Sequence, residues 1–279
     1  MNSSVEAERE IGALHSIEDI VGAMKAYAGV TIRKTEETVP NIREYERNML
    51  SALADVADHN PYPPSKKERG KRIVVAFGSS QGICGPYNEK VADAVAENSA
   101  EGDVLFVIGS RLQSALEARS VQYEYRGDSA LSIEGIQKAL TETTENIMNI
   151  YYSRGFLALV CLFTFVTVKG AEISVERILP PELERVSSPG ESKNPILTYM
   201  DPGTIFSRVL EEFLYIGLYR CCVESLRSEN WYRLRSMEGA SETLKTHLSE
   251  LKTLQKYLQQ EEITEEMLEI LGSGMFYGR

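Results

Sequence analysis

The chain has 279 residues, 43% hydrophobic and 25% charged, and its 41 acidic against 30 basic side chains give a net charge of -11. That balance argues against nucleic acid as the main partner, because a phosphate backbone selects for lysine and arginine. The length allows one good core, and the excess acid serves solubility before it serves any contact with basic surfaces.

The opening residues, Met1 to Glu6, have neither a secretory apolar region nor the arginine-rich character of a transit peptide, so the mature protein is expected to begin near residue 1 in the cytoplasm. Leu14, Ile17, Val21, Met24 and Ala28 then step by three and four, the mark of one apolar helical face, with Glu18, Asp19, Lys25 and Arg33 expected on the solvated side. The helical pattern continues past Pro40 through Tyr45, Met49, Leu53 and Val56 to a turn at residues 60–64. Pro40 lacks a backbone donor and crowds the preceding turn, which predicts a bend or a break there.

A different texture follows. Arg72 to Phe77 ends in Gly78 and Val104 to Ile108 ends in Gly109, both continuous apolar runs of the kind found in parallel strands buried on two faces. Val121 to Tyr125 is a third, more exposed candidate strand. After a helix through Ile136, Leu140, Ile147 and Ile150, the segments 156–168 and 171–179 meet at Lys169-Gly170, a connection short enough only for a hairpin. The longest apolar run, 156–168, is interrupted by threonines and is too short to cross a bilayer as a helix. Residues 189–195, with proline at each end, form an expected exit loop.

From Ser207 to Leu271 there is no proline. Met237, Leu244, Leu251 and Leu258 recur every seven residues, with Ala240, Leu248 and Leu254 between them, the pattern of a helix that supercoils with a partner. Roughly 65 residues at about 1.5 Å each span roughly 100 Å, about twice the width of a compact domain of this length. The expected fold is α/β plus long helices: N- and C-terminal helices in an antiparallel coiled coil, flanking a small Rossmann-like α/β domain. The divisions are 1–62, 70–195 and 201–279. Two ordinary surface helices on a globular core remain the alternative that periodicity leaves open.

Chemistry is sparse. His15, His59 and His247 lack any paired metal spacing, and Cys84, Cys161, Cys221 and Cys222 lack CxxC spacing, so no metal, no disulfide and no cofactor are expected. The glycine-rich turn from Gly78 to Gly85 follows the first strand, where a phosphate can rest on a helix N-terminus. It has neither the Gly-Lys-Ser/Thr of a P-loop nor a GxGxxG order, and Gly85 leads into Pro86-Tyr87. No catalytic residue is assigned.

Four segments resemble one family in order. Ile20 to Ala28, Gly82 to Asn88, Ser228-Glu229 with Arg233-Leu234 and Met237, and Ile263 to Ile270 are similar to motifs of the gamma subunit of F-type ATP synthases. The resemblance implies a non-catalytic central stalk. Its coiled coil would turn inside a ring of alpha and beta subunits, and its α/β domain would sit with epsilon on the c-ring, peripheral to the cytoplasmic face of a bacterial plasma membrane. It further implies contact or coupling roles for Met24, Lys25, Glu229, Arg233, Gln260 and Thr264. Departures mark a divergent member, of the kind a second, alternative operon encodes: Gln259 replaces an arginine, Gly22 and Gly29 replace helix formers, Ser80-Gln81 replaces Asp-Arg, and Pro86 replaces a glycine. A nucleotide-binding Rossmann-like enzyme and a cytosolic coiled-coil adaptor are the competing classes.

Overall fold

The structure is a computed structural model describing residues 3–57, 71–154, 158–183 and 199–276. The turn at 60–64, the loop at 189–195 and His59 lie outside the described residues. Five strands form one sheet in the order β3-β2-β1-β4-β5: β1 (Arg72–Phe77), β2 (Val104–Ile108), β3 (Tyr125–Gly127), β4 (Ala158–Thr167) and β5 (Gly170–Leu179). The first four run parallel and β5 returns antiparallel to β4, the hairpin that the short Lys169-Gly170 connection requires.

Alternation along the central strands assigns the two faces. Ile73, Val75, Phe77, Phe106, Ile108, Leu159, Cys161 and Phe163 point into one core with helix α4 (Ile133–Arg154) and parts of the two long helices, α1 (Ser3–Ala57) and α5 (Pro202–Phe276). Val74, Ala76, Leu105, Val107 and Leu162 point into the other, covered by α2 (Tyr87–Asn98) and α3 (Ser110–Glu117). Burial on both sides explains the unbroken apolar runs. Strand β3 begins where the candidate at 121–125 ends. Its position is fixed at the far end, where the Gly109 N–H donates to the Gly127 carbonyl at 2.8 Å, while Val121 and Tyr123 pack their side chains without joining the ladder.

The chain divides into two compact units, one made of the beginning of α1 up to Tyr27 with the end of α5 from Leu234, the other of residues 28–233. In the larger unit α1 and α5 are antiparallel, since polar pairs run Glu36 to Arg227, Arg43 to Glu224, Glu46 to Arg220 and Tyr45 to Glu212. Pro40 does not break α1: it is exposed, and its neighbours Val39 and Ile42 are buried on the opposite side, so the lost hydrogen bond falls on the solvated face.

In the smaller unit the buried and half-buried positions of α5 begin with Leu234, Ser236 and Ala240 around the buried Met237, and from there Ser241, Leu244, Leu248, Leu251, Gln255, Leu258 and Glu262 alternate by three and four. Those of α1 include Ala7, Ile11, Leu14, Glu18, Val21 and Lys25, with the same alternation. The expectations for Ile17, Glu18, Lys25 and Leu254 are corrected. Ile17 and Leu254 are 45% and 48% exposed, and Glu18 and Gln255 take the seam positions instead. The reason is geometric, because a 3.5-residue repeat admits one neighbour of each seam residue and turns the other outward. Lys25, expected to be solvated, is half-buried.

Candidate functional site

A doubly wound sheet binds ligands outside the carboxyl ends of its strands where the strand order reverses, here beside β1. The Gly78–Gly85 turn occupies that edge and is tied to itself and its neighbours. The Ser79 N–H donates to Asn88 Oδ1 at 2.9 Å and Asn88 Nδ2 donates to Ser79 Oγ at 2.8 Å, while Ser80 and Ser129 exchange bonds, backbone N–H to side-chain oxygen, at 2.7 and 3.0 Å. Gly109, at φ 106, lies so close that a Cβ there would sit 2.7 Å from the Gly78 carbonyl carbon. Helix α5 fills what remains. Tyr87 donates to the Ser225 carbonyl at 3.3 Å, and Phe77, Gly78, Ser129, Cys222, Ser225 and Glu229 enclose a cavity of about 10 Å³. A small-molecule site needs about 300 Å³ or more, and about 10 to 15 Å³ is the room of one water. Helix α5 thus closes the β1 side of this edge, while an open cavity of about 560 Å³ lies beside it at the ends of β2 and β3, lined by Ile108, Gly127, Asp128 and Ser129.

That stretch of α5 is buried nearly all round from Cys221 to Arg233, although it carries Glu224, Ser225, Ser228, Glu229, Asn230 and Arg233. Glu229 and Arg233 pair at 2.5 Å with side chains only 4% and 3% exposed, and Arg233 also donates to Asn230 Oδ1 at 2.9 Å. Burial raises the Glu229 carboxyl above its ordinary range, against the pull of the Arg233 charge. The structure thus places both inside the larger unit, where they neutralise each other along α5 itself and offer little charge at the surface. The four cysteines are free and buried, and burial pushes the Cys222 thiol up to about 12, far from a reactive thiolate.

The other expected residues belong to the smaller unit. Met24 and Lys25 are half-buried at the border of the α1 seam. Gln260 and Thr264 are exposed one turn apart, and the Thr264 hydroxyl donates to the Gln260 carbonyl at 2.7 Å. Around them α5 shows two exposed faces: Ile263, Met267, Ile270 and Leu271 on one, Glu261, Glu265, Glu266 and Glu269 on another. On α1, Ile17, Ile20 and Tyr27 are exposed as well. Clustered apolar surface of this kind marks an interaction face. Sequence reasoning missed the buried polar run at 220–233 and its partners Glu46 and Glu176, because charges on a helix read as a solvated side. The one signal was that polar residues there ring the helix and do not keep to one stripe.

A crevice closed by α5 beside β1 and two long helices with exposed apolar faces point to a class: a structural subunit that works through contact with other chains. The sequence profile described as ATP synthase matches residues 3–275, and the chain belongs to the ATP synthase family. It is 26% identical to an ATP synthase gamma chain of Bdellovibrio bacteriovorus, with 97% of each chain covered, and 27% identical to one of Cytophaga hutchinsonii, with 98% of each covered. Among solved structures it is similar to a chain of the Euglena gracilis mitochondrial ATP synthase OSCP/F1/c-ring assembly, at TM-score 0.65 and 13% identity over 98% of this chain and 94% of that one. A chain of the Tetrahymena thermophila mitochondrial ATP synthase central stalk and c-ring matches at TM-score 0.56 and 16% identity, over 80% of this chain and 99% of that one. Among the described residues no helix is long and apolar enough to cross a membrane.

Proposed function

We propose that this chain is the non-catalytic rotor subunit of an F-type ATP synthase. Residues 1–62 and 201–279 form the axle within a ring of alpha and beta subunits, and residues 70–195 form the domain that meets epsilon and the c-ring at the cytoplasmic face of the membrane. The observation that carries this reading is the double use of α5: one continuous helix closes the sheet's ligand crevice with Ser225 to Glu229 and ends in exposed apolar and acidic faces.

The mechanism follows from asymmetry. A single axle cannot present the same surface to three catalytic sites, so its rotation offers each site a different contact in turn. Only such differential contact can shift a site between conformations of different nucleotide affinity. Ion flow turns the c-ring, the α/β domain turns with it, and the axle delivers the work. Met24 and Lys25 on α1 and Gln260 and Thr264 on α5 are the contact residues, and each neutral hydrogen bond from the latter pair contributes about 0.5 to 1.5 kcal/mol. Glu229 and Arg233 contribute by pairing with each other along α5, which lets this stretch of the helix be buried in the α/β domain.

Affinity purification of the tagged chain from detergent-extracted membranes of its source tests the reading. The rotor reading expects alpha, beta, epsilon and c subunits in fixed ratio with ATPase activity. Recovery of the chain from the soluble fraction with none of them would support the adaptor class instead.

A further inference from the structure

Apolar packing resists pulling α5 away from the sheet, yet it is non-directional and gives little resistance to a helix turning or sliding in its seat. A rotor whose domain and axle are joined only that way would slip under load. Directional links are therefore expected where the elements meet, and one site in the larger unit gathers them.

Arg220 lies on α5 with its side chain 6% exposed. Its Nε donates to Glu46 Oε2 of α1 at 2.7 Å, its Nη2 donates to Glu176 Oε1 of β5 at 2.6 Å, and its guanidinium carbon is 5.6 Å from the ring centre of Phe163 on β4. One planar group thus holds three other elements in fixed directions, which the compact charge of a lysine does not reproduce. Gly217, one turn earlier, is the second feature. A Cβ there would stand 3.1 Å from Ile178 Cγ2 of β5 and 3.6 Å from Glu46 Oε1 of α1, so β5, α1 and α5 converge on both residues. Glycine in a helix interior costs about 1 kcal/mol against alanine. The close approach of β5 accounts for its presence.

We propose that the Gly217–Arg220 junction is the torque joint of this subunit, with Arg220 the positioning residue that sets the angle of the α5 and α1 helices relative to the sheet. Glu46 holds the axle side and Glu176 the sheet side. This inference rests on the rotor reading above.

The test uses the assembled complex, immobilised by its hexamer, with a bead attached through Val168→Cys at the exposed tip between β4 and β5; the native cysteines are buried and do not compete. The mean-square angular excursion of the bead at rest measures torsional softness. Arg220→Met is expected to widen it about twofold or more, and Glu176→Gln, which leaves the Glu46 link in place, to widen it less. Melting of the isolated chain is recorded alongside, since a merely structural role would lower the melting temperature without widening the excursion of complexes that do assemble. If Arg220→Met does not assemble, Glu176→Gln alone decides. Unchanged excursions in the variants overturn the joint while leaving the rotor reading intact; an unmodified complex whose bead does not turn with ATP overturns the rotor reading instead.

Discussion

Replacing Arg233 by methionine keeps most of the side chain's apolar stem and deletes the charge that faces Glu229. Both groups are nearly inaccessible, so the carboxylate left behind has no water to replace its partner, and Asn230 Oδ1 loses a donor at 2.9 Å. Breaking a buried pair from one side costs about 3 to 5 kcal/mol, whereas removing both charges is often close to neutral. The pH dependence has a definite sign. Burial raises the folded-state pKa of Glu229, so between the ordinary carboxylate value and that raised value the folded chain holds a proton that the unfolded chain releases. Stability from this group is therefore full below the window and falls as pH rises through it. Arg233→Met removes the attraction that limits the rise, so the window extends upward and the variant suffers less near pH 5 than near pH 8. Urea denaturation followed by Trp231, the one tryptophan of the chain, measures this in the isolated protein. Glu229→Leu with Arg233→Met should recover most of the loss. A loss below about 1 kcal/mol for Arg233→Met, or one independent of pH, refutes the internal role and returns the pair to a subunit interface.

Within the smaller unit, Leu248→Ala should cost about 2 to 5 kcal/mol of helix-pair stability by circular dichroism while Leu254→Ala stays within about 0.5, because only the former lies in the seam. Gly109→Ala should destabilise the α/β domain severely, since the new methyl would meet the Gly78 backbone and the residue sits at φ 106; a soluble variant melting like the unmodified chain would show the loop contact to be wrong. Gln260→Ala with Thr264→Ala should lower turnover of the assembled complex and leave the helicity of the isolated chain unchanged, and normal turnover would remove these residues from the contact surface.

The strands and the long helices were legible because each depends on a short-range pattern. Ile73 to Phe77 must be apolar on both sides, and Met237, Leu244, Leu251 and Leu258 mark a seam whatever their partner is. Individual seam members were less legible: Ile17 and Leu254 are as apolar as their neighbours, and which of two adjacent positions turns inward is set by the partner helix. Pro40 was expected to bend or break the helix, because a proline pattern alone does not say whether the lost hydrogen bond falls on the solvated face. The placement of Glu229, Arg233 and Arg220 was the least legible. Their burial comes from α1, β5 and the β1 loop folding around α5, a tertiary arrangement that local charge patterning contradicts. The contact roles proposed for Met24, Lys25, Gln260 and Thr264 rest on resemblance to a family; Met24 and Lys25 are half-buried and only Gln260 and Thr264 are exposed, so exposure does not single them out.

Single-molecule rotation tests the central claim most directly. With the hexamer fixed to a surface and a bead on Val168→Cys, the account predicts ATP-driven turning in one direction with three equivalent dwells per revolution, abolished when the catalytic sites are inhibited. A bead that stays still while the same complexes hydrolyse ATP at full rate would contradict it.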